Sequence, residues 1–176
     1  MKIYRCRICG ETYLGSSAPA MCPFCGAHME LIVDTADYPE DINKVQPTEV
    51  ERADLETSID LELSNTRFYL GMSKRCDNPK LASAYKRLAA IESEHCSVFS
   101  KLADTTKPAD LHEPGDELGS WEADIDESLK REKRASALYA EFSARATSPR
   151  LVEVWNAVSA IEADHIVLDD VAKGYV

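Results

Sequence analysis

The feature that most restricts the fold of this chain is an internal repeat at an offset of 70 residues. Between positions 53 and 95, thirteen of 43 residues are identical to the residue 70 later, with no gap. Average residue usage would give about one match in fifteen. The matches include Glu62 with Glu132, Tyr69 with Tyr139, Pro79 with Pro149, Glu92 with Glu162 and His95 with His165. The duplication therefore covers polar residues that a packed core would ordinarily exclude.

The repeated segments read as helices. Thr48 and Glu51 form a capping box that starts a first helix. Asn78-Pro79 and Ser148-Pro149 each place a capping residue before a proline at the first helical position, which starts the second and fourth. A third starts near Ser120. Apolar residues in the second helix fall at Leu81, Ala84, Leu88, Ile91, Val98 and Leu102, with His95 interrupting them. The fourth repeats the spacing at Leu151, Val154, Val158, Ile161, Leu168 and Ala172, with His165 interrupting. Steps of three and four residues put each set on one helical face.

Register then brings the polar core residues together. Glu62 and Glu92 lie about equally far from the turn near residue 77 or 78, and Glu132 and Glu162 about equally far from the turn near 147 or 148. His95 and His165 follow their glutamates by three residues, on the same face. The second and third helices are joined by about fifteen residues, which extend to roughly 50 Å. That is enough to return along a helix about 39 Å long. Two short turns and one long crossover describe the ferritin-like four-helix bundle. Buried together, four carboxylates and two imidazoles need a neutralising partner. Two divalent metal ions balance four carboxylates. One Glu from each of two helices and a Glu-x-x-His from each of the others is the di-iron or di-manganese carboxylate pattern. Tyr69 and Tyr139, two turns beyond Glu62 and Glu132, are candidates for hydrogen bonds near the metals, with packing expected for at least one.

Ahead of the bundle, Cys6-Arg7-Ile8-Cys9-Gly10 and Cys22-Pro23-Phe24-Cys25-Gly26 form two knuckles whose thiolates converge on one metal. The glycine after each pair permits the left-handed backbone of the turn. A tetrahedral four-sulfur site suits zinc or iron, and a redox bundle beside it favours iron. Strands are expected at Lys2–Arg5, Glu11–Leu14 and Met29–Val33. The division is thus a small β-rich metal-binding domain over 1–35, a linker over 36–47 and a mainly α domain over 48–176. Cys76 and Cys96 stand alone on helical segments and read as small buried residues.

The formal charge of −11 disfavours nucleic acid and anionic membrane surfaces as partners. There is no run of about 18 apolar residues to span a bilayer. The first six residues lack the apolar stretch of a secretory signal, which makes the cytoplasm the default location. Paired Cys-x-x-Cys units in a reducing compartment are metal ligands rather than disulfides.

Taken together, these motifs resemble the rubrerythrin family over nearly the whole chain. The Cys-Pro-x-Cys-Gly knuckle is similar to its rubredoxin-like domain, and Glu62, Glu92, His95, Glu132, Glu162 and His165 match its di-iron ligands. The cysteines come first, as in the reverse rubrerythrins. The resemblance implies reduction of hydrogen peroxide to water. Electrons would pass from NAD(P)H through a separate reductase, or from a rubredoxin, by way of the four-cysteine iron. It also implies a homodimer in which one subunit's cysteine domain approaches the other's bundle. Oxygen reduction or iron oxidation at the same di-iron site is the first alternative. A non-enzymatic zinc-ribbon binding module is the second. One position departs from the pattern: Ala135 stands where the family carries a second glutamate, three residues after Glu132, that exchanges with a histidine.

Overall fold

A computed structural model describes residues 1–176. Four long helices dominate it: α1 (Glu49–Met72), α2 (Pro79–Leu102), α3 (Trp121–Arg145) and α4 (Pro149–Ala172). A small antiparallel sheet precedes them, made of β1 (Lys2–Cys6), β2 (Thr12–Gly15) and β3 (Ile32–Asp34) in the order β2-β1-β3. The chain is mainly α, a ferritin-like bundle with a β-rich cysteine-bearing segment at its N-terminus.

The caps explain most helix starts. Thr48 and Glu51 make the full reciprocal box, Asn78 accepts from the Leu81 N–H, and Ser120 accepts from the Ala123 N–H. Ser148 is the exception, because its side chain caps nothing. Its role passes to Glu51, whose Oε1 accepts the backbone N–H of Thr147 and of Ser148, each at 2.8 Å. One carboxylate therefore caps α1 with one oxygen and the start of α4 with the other.

Cross-bundle bonds fix helix directions. Tyr69 pairs with Glu132 and Tyr139 with Glu62, so α1 and α3 run antiparallel. Tyr85 meets Asp169 while His95 lies beside Glu162, so α2 and α4 do too. The α2–α3 crossover returns along α1, where the Gly115 N–H donates to the Arg67 carbonyl (2.7 Å). A Cβ on Gly71 would clash with the Gly115 carbonyl oxygen, which accounts for a glycine inside α1. No helix is long and apolar enough to cross a membrane.

Several expectations change in detail. Met29–Leu31 forms a short 3-10 turn, and β3 begins only at Ile32, because the Leu31 N–H closes onto the His28 carbonyl. β2 lies one residue later than expected. The 36–47 stretch opens inside another 3-10 turn, Thr35–Asp37, and buries Tyr38 under the Arg5 guanidinium, 3.7 Å from the ring centroid. Ala84, Ile91 and Leu168 are only half-buried. Each helix is rotated so that Glu and His both face the axis, which brings Tyr85, Phe99 and Asp169 inward. Cys96 is buried, but Cys76 is exposed in the α1–α2 turn. Arg75 takes the inward place there, bonding Asp124 (3.1 Å) and lying over Trp121.

Candidate metal centres

The four cysteines converge as the knuckles require. Gly10 and Gly26 adopt φ of 82° and 80°, and Cys6, Cys9, Cys22 and Cys25 are all buried. Their sulfurs lie within 4.8 Å of one another, with Cys6–Cys25 at 3.7 Å and Cys9–Cys22 at 3.8 Å. A tetrahedron with metal–sulfur bonds of about 2.3 Å has edges of about 3.8 Å. The donor set and spacing therefore fit one tetrahedral iron or zinc ion.

In the bundle, the residues expected from the repeat meet at one level. Two overlapping groups form there: Glu62, Glu92, His95 and Glu162, and Glu92, Glu132, Glu162 and His165. Glu92 and Glu162 belong to both, while Glu62 and Glu132 lie at the two ends. His95 Nδ1 is 3.4 Å from both Glu92 and Glu162. His165 Nδ1 is 3.0 Å from Glu92 and 2.8 Å from Glu162. Four fully buried carboxylates at one level have a large desolvation cost. Glu62 Oε2, both oxygens of Glu92, Glu132 Oε2, Glu162 Oε1 and His95 Nδ1 have no hydrogen-bond partner in the protein. Acceptor atoms that converge without donors fit a pair of divalent cations, and oxygen-rich sets with one imidazole each suit iron or manganese.

Electrostatics point the same way. Burial, and then the facing Glu92 and Glu162 carboxylates, hold Glu62 well above the usual carboxylate range. Burial raises Glu132 likewise, with Glu162 and Glu92 adding to it. Burial works against charging His95, but Glu162, Glu62 and Glu92 pull its pKa well up. Burial opposes His165 in the same way, and Glu162 and Glu92 overcome it. The cluster thus holds protons as its only internal source of positive charge, and cations that enter must displace them.

Tyr69 and Tyr139 both donate to the cage, so packing is the sole role of neither. Tyr69 Oη donates to Glu132 and Tyr139 Oη to Glu62, each reaching across from the opposite helix. Ala135 is fully buried and adds no ligand. Outside the cage, Asn65 and Arg131 help line a groove of about 430 Å³ between α1 and α3, beside Glu62 and Glu132 in sequence.

The two centres touch through one residue. His95 Nε2 donates to the Cys25 carbonyl at 2.8 Å. A carbonyl only accepts, so this bond fixes a hydrogen on Nε2 and leaves Nδ1, which faces the carboxylates, as the nitrogen a cation would take once its proton is displaced. A latch that single-helix periodicity does not reveal holds the contact in place. Arg7 bonds Glu153 (2.7 Å), Arg150 Nη2 donates to the Arg7 carbonyl (2.6 Å), and His28 bonds Asp164 (2.7 Å). Gly26 lies so close to α4 that a Cβ there would sit 2.9 Å from Ile161 Cγ2.

Comparison with known proteins agrees with both halves of this arrangement. Residues 4–31 match the family model described as the rubredoxin-like domain of rubrerythrin, and residues 54–117 match the model described as rubrerythrin. Reverse rubrerythrin-1 of Clostridium acetobutylicum is 35% identical over 120 residues, 62% of this chain and 66% of that relative. The match thus spans just under two thirds of the relative's length. No solved structure matches the chain significantly.

Proposed function

The chain belongs to the rubrerythrin family, with the four-cysteine segment ahead of the bundle, and from that premise we propose that it reduces hydrogen peroxide to water. The observation that carries the reading is the His95–Cys25 bond. One imidazole reaches the carboxylate cluster with Nδ1 and the backbone of a cysteine knuckle with Nε2. Apart from that single hydrogen bond, the route from the Cys25 sulfur to the His95 ring is covalent, a short path for an electron donor serving the cluster.

In this reading Cys6, Cys9, Cys22 and Cys25 hold one iron. Glu62, Glu92, His95, Glu132, Glu162 and His165 hold two, with Glu92 and Glu162 shared between them. Iron supplies the one-electron carriers that no side chain here provides. The residues do the rest. Four carboxylates balance the cations, and burial keeps bulk water out. Tyr69 and Tyr139 keep a hydroxyl proton at Glu132 and Glu62. The α1–α3 groove admits a small neutral substrate. Electrons come from a reduced nicotinamide by way of a separate reductase or rubredoxin, and the working form is a homodimer.

Ala135 supports a second reading. Without a seventh protein ligand the cage is nearly symmetric, which suits reduction of oxygen or oxidation of iron as well. Stopped-flow mixing of the anaerobically reduced protein with one equivalent of peroxide, or with oxygen, separates the two. Faster return of ferric–thiolate colour with peroxide supports the peroxidase; faster return with oxygen supports the alternative. A colourless cysteine site in the iron-loaded protein refutes the electron route itself.

A further inference from the structure

The internal repeat provides a control for the aromatic rings that adjoin the cage. Tyr69, whose hydroxyl donates to Glu132, has its ring centroid 5.9 Å from that of Tyr85. Tyr85 in turn stacks on Trp121 at 5.9 Å, with 29° between the ring planes. Both separations are those of aromatic rings in contact. Trp121 opens α3, and its Nε1 donates to Oδ1 of Asp77 (3.0 Å), an exposed residue of the α1–α2 turn. The Arg75 guanidinium lies over the indole, 5.0 Å from the ring centroid. Three rings, one from each of α1, α2 and α3, thus join a cage carboxylate to the surface.

The other half of the bundle is built differently. Seventy residues away, the counterparts of Tyr69, Tyr85 and Trp121 are Tyr139, Trp155 and Glu51. Tyr139 reaches Glu62 in the same way, but its ring neighbours are Phe99 (5.4 Å) and Phe142 (6.4 Å). Trp155 meets Phe142 (5.6 Å), is fully buried, and donates from Nε1 to Ser58 (3.2 Å). Glu51 stands where the outermost ring would be. Both halves are well packed, so packing does not explain the difference. The chemistry of the rings does. Tyrosine and tryptophan can give up one electron to a strong oxidant, whereas phenylalanine cannot. Oxidisable rings in contact therefore run from cage to surface in one half and are interrupted in the other.

We propose that Trp121, Tyr85 and Tyr69 form an auxiliary one-electron path into the cage, used when the cysteine site has no electron to give; the inference rests on the function proposed above. Reducing hydrogen peroxide to two waters takes two electrons and two protons. Where the cage holds a single ferrous ion, that ion supplies one electron and the Trp121 indole supplies the other. The second electron crosses Tyr85 and Tyr69, which end unchanged, and the two protons come from water. A cation over the indole disfavours a positively charged ring, so loss of the electron is coupled to loss of the Nε1 proton. That proton passes to Asp77 Oδ1 and from there to solvent. The neutral indolyl radical is restored by one electron and one proton from a small thiol in solution, and the oxidised thiols pair as a disulfide. A half-reduced cage can then complete the reaction without the cysteine site.

The test uses protein with zinc in the cysteine site and iron in the bundle, reduced to one electron per cage and mixed with peroxide. Freeze-quenched samples should show a tryptophan radical by electron paramagnetic resonance. Trp121→Phe and Tyr85→Phe should lose that signal, and Trp155→Phe should keep it. A signal that survives Trp121→Phe, or that disappears in Trp155→Phe, overturns the path. So does the absence of any radical when peroxide has oxidised the iron. A second experiment needs neither iron nor peroxide. With zinc in both centres, a ruthenium photo-oxidant is attached to the exposed Cys76, next to Asp77. A flash should oxidise Trp121 and then raise a tyrosyl absorption as Tyr85 or Tyr69 gives up an electron. The tyrosyl signal should be missing from Trp121→Phe and present in Trp155→Phe; its absence from wild type, or the reverse pattern, overturns the proposal. Ferrous iron that peroxide does not oxidise overturns the peroxidase reading, and the flash experiment then decides alone whether the rings conduct.

Discussion

Replacing Glu51 with glutamine tests how the bundle is joined, because one carboxylate serves two helix starts. Oε2 accepts the Thr48 N–H at 2.8 Å. Oε1 accepts the Thr147 and Ser148 N–H groups at 2.8 Å and the Thr147 hydroxyl at 3.1 Å. Glu51 is only 3% exposed. Burial alone would raise its pKa, but the backbone donors of Thr48, Ser148 and Thr147 bring it down to about 2. Relative to an ordinary glutamate, that depression corresponds to about 3 kcal/mol of folding stability at neutral pH. Glutamine keeps one acceptor but turns an NH2 towards other donors. Glu51→Gln should therefore lose about 2–3 kcal/mol, or about 5–10 °C in Tm for a chain of this length.

The sign of the pH dependence follows from the depressed pKa. The carboxylate's contribution is complete above the unfolded value near 4.5 and fades as pH falls towards about 2. The deficit of Glu51→Gln against wild type should thus shrink by about 1 kcal/mol between pH 7 and pH 3.5. Urea unfolding followed by far-ultraviolet circular dichroism, with both proteins at matched metal loading, measures it. A deficit below about 0.5 kcal/mol at pH 7, the level of an ordinary surface change, refutes the double cap. A deficit that stays constant with pH refutes the charge argument.

Three other perturbations probe separate links. Gly26→Ala forces a left-handed φ on a residue with a side chain, costing about 1–2 kcal/mol, and drives its Cβ against Ile161. It should slow electron delivery to the bundle while leaving the cysteine-site absorption in place, and adding Ile161→Ala should recover part of the rate. Glu92→Ala removes a residue shared by both ligand groups. It should abolish peroxide turnover yet leave the ferric–thiolate spectrum intact; loss of both signals would show that the sites are not separable. Asp124→Asn breaks the buried pair with Arg75 and should cost about 3 kcal/mol in thermal or urea unfolding, with less than 1 kcal/mol showing that the pair is solvated.

What was legible in the sequence is what the helical period and the repeat carry. Glu62, Glu92, His95 and their partners could be placed because each lies at a determined height from a short turn. The starts of the first, second and fourth helices followed from local sequence signals. The capping group of the fourth did not, because it is Glu51, nearly a hundred residues earlier, rather than Ser148. Arg7, Arg150, Glu153 and Asp164 were equally hidden, since each reads as an ordinary surface charge until the cysteine segment is docked. Asp54 with Arg145 and Asp124 with Arg75 are a different case. Both residues of each pair recur 70 positions away, so the repeat already carried the signal. The exposed Cys76 was misplaced because a lone cysteine says little about which turn residue faces inward.

The asymmetries of a duplicated bundle locate its traffic. Duplication makes the ligand cage nearly symmetric, so under the proposed function electron entry and substrate entry must be distinguished by residues the repeat does not share. Under the proposed function electrons would enter on the face of α2 and α4, where His95 bonds Cys25 and Gly26 abuts Ile161. The 70-residue counterpart His165 has no such backbone partner among its bonds. The groove opens instead between α1 and α3. Keeping the two apart has a chemical use. A substrate that met the cysteine site directly could oxidise its thiolates, and water reaching the carboxylates through a shared opening would screen the charges that bind the metals. If that separation is functional, enlarging the groove with Asn65→Ala should speed reaction with peroxide without altering the rate at which the bundle is reduced through His95. Equal changes in both rates, measured by stopped flow on the two half-reactions, would show that the routes are shared.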